Sequence, residues 1–308
     1  MITCPLCTTV FSHPPLETVA TADLDNLYRK TFGISTDYEE ETLTLDYIAC
    51  PTCTLHFFHP LLPGGKPFYT SLCALPFYYS EEKEEFRVAR EHIRSGDKVL
   101  EVGAGSGAFS AHLPPNCEYT GLDFNPTAET LALEHGRLVR AESLDVHAQE
   151  HQAQYDVVCA FQTLEHVANP HDFLHDLGIC LRPEGLLLLS VPNENSFLCL
   201  DTNAVLHLPP HHLTHWTHTA LSHAAQEAGC ASVHLQEMKT AQEHLSWHVT
   251  SLALEALRQA RGIPRRVVDL SANFLELKRE AAKAALSLHI DENAPGHTVL
   301  LTARRAMI

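Results

Sequence analysis

The middle of the chain alternates short apolar runs with stretches in which apolar residues recur every three or four positions. The apolar runs predict buried strands, and the stretches with the longer period predict helices. Between residues 98 and 192 we predict five strands, in the sequences KVLEVG, EYTGLDF, RLVRAES, YDVVCAF and LLLLSVP. Strands that alternate with helices at this spacing indicate an α/β fold, in which helices cover both faces of a parallel sheet.

Helices are predicted around these strands. One begins at Ser80, the expected N-cap of an acidic first turn, and runs to about Arg94. The helix after the first strand ends near Pro114, the next spans Thr127 to Gly136, and a third lies in HDFLHDLGICLR. The last three helices each connect two predicted strands, as parallel pairing requires.

After Pro192 the pattern changes. A loop rich in Pro, His and Asn leads to a helix from about Thr219 to Ala228 and then to a strand, ASVHLQEM. Two more helices are predicted at roughly 241–260 and 265–288, before a last strand, HTVLLTARR. The helical insertion at 241–290 is long for a connector, so we expect it to act as a lid or as the contact of a homodimer.

The first 75 residues differ from the rest and are predicted to form a domain of their own, ahead of a second domain at 76–308. They hold two C-x-x-C pairs, Cys4 with Cys7 and Cys50 with Cys53, each followed by residues typical of strands. Four thiolates suit a structural, tetrahedral Zn²⁺ site, and a strand that directly follows a cysteine pair is typical of zinc ribbons. Redox-active thiols and unrelated buried cysteines are the alternatives.

The composition of the chain argues against nucleic-acid and membrane partners. The chain has 308 residues and a formal net charge of −17, with no visible basic run, so we expect no nucleic-acid partner. The N-terminus lacks the basic and apolar regions of a signal peptide, and no run of about eighteen apolar residues predicts a membrane span. We therefore expect a cytoplasmic protein with no membrane partner, whose cysteines are thiols or metal ligands.

The first predicted strand ends in a glycine-rich turn, LEVGAGSGAFS. Glycine lets the backbone approach a ligand without a Cβ in the way, and open α/β sheets bind ligands at the carboxyl ends of their strands. Asp123 ends the next strand, about twenty residues beyond the turn, where its carboxylate can accept hydrogen bonds from ribose hydroxyls. This arrangement serves NAD and other adenosine-bearing cofactors equally well.

Further motifs favour one of these cofactors. Glu101 precedes the turn inside the strand, LEHV follows the fourth strand at 164–167, and PPHHLTHWT lies at 209–217 after the fifth. This set resembles the class I S-adenosylmethionine-dependent methyltransferases, in particular a branch with the LEHV and PPHHLT motifs. The segment CPTCTLHFFHP is similar to the zinc-ribbon-like N-terminal modules of some members. The resemblance covers about residues 85–240 well and leaves the helical insertion outside.

The resemblance implies a Rossmann-like sheet of seven strands whose last strand is antiparallel. It implies that the glycine turn passes under the methionine part of the cofactor, that Glu101 orients the turn or the cofactor's amino group, and that Asp123 holds the ribose. The adenine side is expected near Glu142–Leu144, where a clear Gly-Asp pair is missing. The full set of implied cofactor-binding residues is Glu101, Gly103, Gly105, Gly107, Asp123, Phe124, Glu142, Ser143, Leu144, Phe161 and Gln162.

Three histidines are candidates for removing a proton from a methyl acceptor. His166 follows the fourth strand, and His211 and His212 lie in the loop after the fifth. The alternatives are a hydrogen bond by which His166 holds its loop, and a scaffolding role for His211 and His212. The spacing of His211 and His215 also fits a metal pair on a helix, for which no third ligand is evident in the sequence.

These observations predict an S-adenosylmethionine-dependent methyltransferase that acts on a small-molecule metabolite, such as a sugar or quinone intermediate, by O-, N- or C-methylation. Methyl transfer asks the protein mainly to position the nucleophile and the cofactor, and sometimes to remove a proton. The alternative from a different class is a non-catalytic cofactor-binding, zinc-dependent interaction module with the same fold. An NAD-dependent enzyme is the third hypothesis.

Overall fold

The computed structural model of the protein describes residues 1–38, 43–291 and 293–307. The strands, in chain order, are β1 (Ile2–Thr3), β2 (Val10–Phe11), β3 (Glu17–Ala20), β4 (Thr44–Ala49), β5 (His56–His59), β6 (Lys98–Val102), β7 (Glu118–Asp123), β8 (Val139–Ala141), β9 (Tyr155–Phe161), β10 (Leu181–Pro192), β11 (Thr214–His215), β12 (Cys230–Lys239) and β13 (Pro295–Arg305). The α-helices are α1 (Thr21–Phe32), α2 (Lys66–Cys73), α3 (Glu84–Arg90), α4 (Pro126–Glu134), α5 (Leu144–Glu150), α6 (Pro170–Cys180), α7 (His218–Glu227), α8 (Leu245–Arg261) and α9 (Ala272–Ala285).

The large sheet contains seven strands in the order β12-β13-β10-β9-β6-β7-β8. The five neighbouring strands β10, β9, β6, β7 and β8 run parallel to one another. Strand β13 pairs antiparallel with both β10 and β12. The predicted seven-stranded Rossmann-like sheet and its antiparallel last strand are therefore confirmed. The strand order reverses at β6, between β9 and β7, and the glycine turn follows β6 at this switch point, where open α/β sheets bind ligands.

The apolar run in β10 supplies side chains to both faces of the sheet. Leu187 and Leu189 belong to one core, whereas Leu186 and Leu188 belong to another on the opposite face. Successive side chains of a strand point to opposite faces, so a strand covered on both sides needs an unbroken apolar run. This requirement explains why LLLLSV is continuous rather than alternating.

The N-terminal segment forms its own antiparallel sheet, in the order β11-β5-β4-β3. Its edge strand β11 comes from the loop after β10, with Thr214 opposite Phe57. Phe57 and Ile48 also share a buried core with Leu164 and Trp216. The N-terminal segment is thus joined to the rest of the chain by both a strand pair and a common core. That residues 1–75 form a separate domain remains a prediction.

Several predicted element boundaries differ from those observed. The helix expected from Ser80 begins at Glu84, with Lys83 at the N-cap, and the Ser80 hydroxyl donates to the Glu82 carbonyl instead. After the glycine turn, only a 3₁₀ helix forms, at Ala108–His112. The two prolines that follow leave room for little more than one turn there. Helices α1, α2 and α5 and strands β3 and β4 are additions that the sequence patterns did not predict.

The predicted helical insertion consists of α8 and α9, which bury Leu254, Phe274 and Leu277 between them. The Arg258 guanidinium is 3% exposed and donates to the carbonyl of Leu200, at 2.9 Å, and to the hydroxyl of Thr202. These bonds attach α8 to the loop that follows β10. None of the helices in the described ranges is long and apolar enough to cross a membrane.

Candidate functional site

The glycine turn after β6 is closed by backbone hydrogen bonds to the neighbouring strand. The N–H groups of Gly103 and Ala104 donate to the Leu122 carbonyl at 2.8 and 3.0 Å. Gly103 has a φ of +75°, and a Cβ there would lie 2.2 Å from the Thr163 hydroxyl oxygen. Left-handed backbone and close approach both exclude a side chain at this position. The Thr163 side chain therefore packs directly against the backbone of the turn at Gly103.

Asp123, at the end of β7, connects the turn to the next strand. Its carboxylate is 9% exposed and accepts hydrogen bonds from the backbone N–H groups of Gly105, at 2.9 Å, and Asn125, at 2.8 Å. Burial raises the pKa of Asp123, and the two N–H bonds oppose that rise. A carboxylate has about four lone-pair positions, so two remain for a ligand.

Glu101 lies in the middle of the sheet, directly under the turn. Its carboxylate is 2% exposed and accepts a hydrogen bond from the Tyr119 hydroxyl on β7. Burial raises the pKa of Glu101 to about 8, so the carboxyl group is largely protonated at neutral pH. In this state Glu101 braces β6 against β7.

The expected adenine side lies between β8 and α5. Ser143 is the N-cap residue of α5, and Leu144 is buried. The Glu142 carboxylate faces Nδ1 of His147 at 3.1 Å. Phe124 is 71% exposed and meets the ring of Tyr69 edge-on. An exposed apolar ring of this kind is available to stack on a planar ligand.

The end of β9 forms the opposite wall. Phe161 is buried and packs edge-on against Phe86 and Phe109. Gln162 has a φ of +52°, and its backbone N–H donates to the Ser190 carbonyl at 2.8 Å. The strain of a left-handed, non-glycine residue is balanced by this bond to β10.

Most of these groups surround one cavity of about 1710 Å³. Among the predicted cofactor residues, those that line it are Glu101, Gly103, Gly105, Asp123, Phe124, Glu142, Ser143, Leu144, Phe161 and Gln162. Gly107 is outside the lining and begins the 3₁₀ helix with a φ of +70°. Its glycine is needed for the turn itself.

His166, His211 and His212 line the same cavity and form a compact group, here called the histidine cluster. Their ring centroids are 4.3 to 4.8 Å apart. Burial lowers the pKa of His166 to about 4 and holds the pKa values of His211 and His212 well below the usual histidine value, with the neighbouring imidazoles adding to the effect. The three rings are therefore neutral at neutral pH.

Two hydrogen bonds bring the loop of PPHHLTHWT to the end of β9. The Nδ1–H group of His166 donates to the His211 carbonyl at 2.7 Å, and the N–H of Leu213 donates to the Glu165 carbonyl at 2.8 Å. The loop-holding hydrogen bond considered for His166 is thus present. The ring of His166 lines the cavity at the same time.

The idea of a metal pair formed by His211 and His215 on a helix is wrong. His215 lies in β11, not in a helix, and its ring belongs to a second buried group with Glu194 and His207. Strand pairing of β11 with β5 extends the backbone at Thr214 and His215, so the one-turn spacing that brings residues four apart close together on a helix is lost.

This second group escaped the sequence patterns. Tyr47 donates to the Glu194 carboxylate at 3.2 Å and contacts Nδ1 of His215 at 2.9 Å, while His56 faces Glu194 at 3.3 Å. Burial opposes ionisation of Glu194, but hydrogen bonds from His207 and His56 hold its pKa well below the usual value. Glu165 was also missed, although it stands inside the LEHV motif. The signal available for both was an acidic residue next to a histidine-rich segment.

The four paired cysteines converge as predicted. The Sγ atoms of Cys4 and Cys53, and those of Cys7 and Cys50, are 3.6 Å apart, and all four lie within 4.8 Å of one another. Tetrahedral Zn–S bonds of about 2.3 Å place sulfurs about 3.8 Å apart, so the set fits Zn²⁺. A hydrogen bond from Cys53 lowers the pKa of Cys4, which favours a thiolate.

The two cysteine pairs also have the same local backbone. The N–H groups of Thr8 and Thr54 donate to the carbonyls of Cys4 and Cys50, and both threonines have a φ near +60°. Each pair is therefore a tight knuckle of the kind that presents two sulfurs to one metal ion.

Comparison with known proteins gives a consistent result. A family model described as "Methyltransferase domain" matches residues 78–235. Two curated relatives are named ubiquinone biosynthesis O-methyltransferase. The one from Salmonella paratyphi A is 37% identical over 107 residues, which cover 32% of this chain and 44% of the relative. The one from Shewanella halifaxensis is 34% identical over 114 residues, which cover 35% and 48%. The chain thus spans less than half the length of these relatives.

Among solved structures, an S-adenosylmethionine-dependent methyltransferase from Archaeoglobus fulgidus is similar with a TM-score of 0.52 and 15% identity, over 77% of this chain and all of that one. Identity this low shows the fold alone. The family model, by contrast, spans just over half of the chain and includes the glycine turn, Asp123 and the histidine cluster. The chain belongs to the methyltransferase-domain family.

Proposed function

We propose that the protein transfers a methyl group from S-adenosylmethionine to a small-molecule acceptor. The observation that carries the proposal is the hydrogen bond between the Asp123 carboxylate and the Gly105 amide at the wall of the cavity. It supports the proposal because it sets a carboxylate with lone pairs to spare beside the glycine turn. When bound, S-adenosylmethionine supplies an electrophilic methyl group on a positively charged sulfur.

The residues of the cavity suit such a ligand. Asp123 has lone pairs left for the ribose hydroxyls. Gly103 and Gly105 line the cavity in left-handed backbone conformations, where the methionine part of the cofactor would pass. Glu101 lies beneath the turn and forms an ion pair with the cofactor's ammonium group. The positive charge of that group favours the ionised form of the carboxylate. Glu142, Ser143, Leu144 and Phe124 take the adenine side.

The acceptor occupies the end of the cavity that the histidine cluster lines. Tyr69 and Tyr78 lie beside the cluster, so this end combines aromatic surface with hydrogen-bonding nitrogens. Such a lining suits a hydroxylated aromatic molecule. The curated relatives, named as O-methyltransferases, support an oxygen nucleophile. His166, His211 and His212 position the acceptor hydroxyl in this proposal.

The zinc-ribbon-like segment has a structural role in this proposal. Its strand β5 pairs with β11, three residues after His211. A Zn²⁺ ion on the four cysteines would stabilise the segment and, through this pairing, the loop of PPHHLTHWT. The LEHV and PPHHLT branch is supported by the contacts that the two motifs make with each other.

The helical insertion is proposed to be a lid. His244, Trp247 and Lys278 line the cavity, and Arg258 attaches α8 to the loop after β10. A covering element excludes water from a reacting pair. This position favours the lid over the homodimer contact that was the other expectation.

The proposal is tested by calorimetric titration of the full chain with S-adenosylhomocysteine and, separately, with NAD. We expect binding of the first and none of the second; tight binding of NAD alone would overturn the proposal. A panel of hydroxylated aromatic and sugar acceptors is then incubated with methyl-labelled S-adenosylmethionine. Cofactor binding without label transfer to any acceptor would favour the interaction module.

A further inference from the structure

The histidine cluster directs unprotonated ring nitrogens toward one point. The Nδ1–H groups of His166 and His211 donate to the carbonyls of His211 and Leu206, at 2.7 and 2.8 Å. In a neutral imidazole the other nitrogen, Nε2, then keeps its lone pair. The Tyr78 hydroxyl donates to Nε2 of His211 at 3.2 Å, in agreement with this assignment, and would give up this bond when a metal ion takes the lone pair.

A longer chain of hydrogen bonds determines which nitrogen of the third ring, that of His212, carries the hydrogen. Nε2–H of His207 donates to Glu194 at 3.4 Å, so Nδ1 of His207 is an acceptor in the neutral ring. Nδ1 of His207 lies 2.9 Å from Nδ1 of His212, which must then carry the hydrogen. Nε2 of His212 is left with its lone pair. Carbonyl and carboxylate partners on the far nitrogen are the usual second contacts of metal-binding histidines.

A carboxylate that lacks a partner lies beside these nitrogens. Glu165 is fully buried, and neither of its side-chain oxygens has a hydrogen-bond partner within the described part of the chain. One oxygen is 4.0 Å from Nε2 of His166 and 3.9 Å from Nε2 of His212. Leaving a buried carboxylate without a partner is costly, and a cation bound beside Glu165 would remove that cost.

We propose that His166, His211 and His212 bind a divalent transition-metal ion, with Glu165 as the fourth ligand. One donor atom from each histidine lies within 4.8 Å of the other two. Metal–nitrogen bonds of about 2.1 Å set tetrahedral nitrogens about 3.4 Å apart, so binding draws the rings together. Three imidazoles and one carboxylate favour Zn²⁺, Co²⁺ or Fe²⁺ over Mg²⁺ or Ca²⁺.

This site differs in kind from the four-cysteine site. The cysteines are closed off from the cavity, whereas all three histidines and Glu165 line it. A metal ion here can expand its coordination to take an oxygen of a cavity ligand. On the basis of the proposed function, that ligand is the acceptor hydroxyl, which the metal orients and makes more acidic. The hydroxyl proton would pass to solvent water. The acceptor oxygen would form a bond to the methyl carbon as the bond from that carbon to the sulfur of S-adenosylmethionine breaks, and S-adenosylhomocysteine would leave.

Metal content of the full chain tests the site without any assay of activity. Purified protein is equilibrated with excess Zn²⁺, freed of unbound metal, and analysed for zinc per chain. We expect two equivalents in the natural sequence and one in His211→Gln and Glu165→Gln. Glu165→Gln breaks no side-chain hydrogen bond, so it serves if His211→Gln does not fold. His175→Gln, an exposed histidine on α6, should retain two equivalents.

A Co²⁺ titration distinguishes the sites spectroscopically. The first equivalent should show thiolate-to-metal charge transfer, and the second only the weaker bands of nitrogen and oxygen ligands, with its Kd weakened at least tenfold by either variant. A single equivalent in the natural sequence, or a second equivalent that survives both substitutions, overturns the site. Two equivalents with no methyl transfer leave the site standing and refute the proposed function. Full methyl transfer by protein that retains only thiolate-bound metal refutes the role in acceptor binding.

Discussion

The Asp123 carboxylate accepts a hydrogen bond from the backbone N–H of Gly105 at 2.9 Å, so one acidic residue both shapes the glycine turn and faces the cavity. The residue at the end of β7 thereby holds in place the glycine turn that follows β6. The same carboxylate braces the glycine turn and faces the cavity. Its removal should therefore affect ligand binding more than global stability.

Asp123→Ala is expected to weaken binding of S-adenosylhomocysteine by more than tenfold, about 1.4 kcal/mol. The reason is the loss of both the ribose acceptor and the brace on the turn. Isothermal titration calorimetry measures the effect. Glu129→Ala, which removes an exposed acid from the nearby helix α4, is the control and should bind normally. Unchanged affinity in Asp123→Ala would refute the ribose role.

Gly103→Ala should destabilise the protein far more than Gly136→Ala. Both glycines have a φ near +70°, so both substitutions pay the cost of left-handed backbone, about 1 kcal/mol. Only at Gly103 would the new Cβ also collide with Thr163, whereas Gly136 has nothing within 4 Å. The free energies of unfolding of the two variants are measured in urea, and their difference gives the steric contribution. Equal losses of stability would show that the close approach is relieved by movement of Thr163.

Cys50→Ser should remove the thiolate-bound zinc, close to one equivalent per chain, and lower the thermal midpoint. The physical reason is that metal binding to a four-cysteine site contributes directly to the free energy of folding. Cys117→Ser is the matched control, because Cys117 packs against a different core from the four paired cysteines and donates to the Arg94 carbonyl, which serine can also do. An iron–sulfur absorption spectrum of the purified protein would contradict the zinc assignment.

Acid should destabilise the fold because buried neutral histidines resist protonation in the folded state. The effect of one such residue, His297, can be tested separately. Burial lowers the pKa of His297 from the usual 6.5 to about 4. Between these values the unfolded chain binds more protons than the folded one, so stability rises with pH and is lost as the pH falls from 6.5 toward 4.

His297→Phe should therefore show a smaller loss of unfolding free energy between pH 7 and pH 5 than the natural sequence. The ring packs against Phe197 and Trp247, so an aromatic replacement retains much of the packing. Urea unfolding at the two pH values gives the comparison. An identical pH dependence in both proteins would show that His297 is protonated at no cost in the folded state.

The sequence alone was sufficient for the sheet and for much of the cavity wall. Apolar runs of the right length predicted β6, β7, β9, β10 and β13, because a strand buried on both faces must be apolar throughout. The glycine turn and Asp123 were found because both follow such runs directly. The short helices α2 and α5 were missed, since seven or eight residues carry too little periodicity to separate from a loop.

Only the tertiary structure showed which polar residues meet. Glu165 and His166 are neighbours in sequence, but their relation to His211 and His212 depends on a loop that is held by β11 pairing with a strand about 160 residues away. Glu194, His207 and Tyr47 likewise come together across the joint between the N-terminal segment and the large sheet. Hydrophobic periodicity is a local property of the chain, whereas the convergence of side chains depends on long-range strand pairing. The fold class and much of the cavity wall were therefore predictable from the sequence, whereas the convergence of the three candidate histidines with the buried Glu165 carboxylate was not.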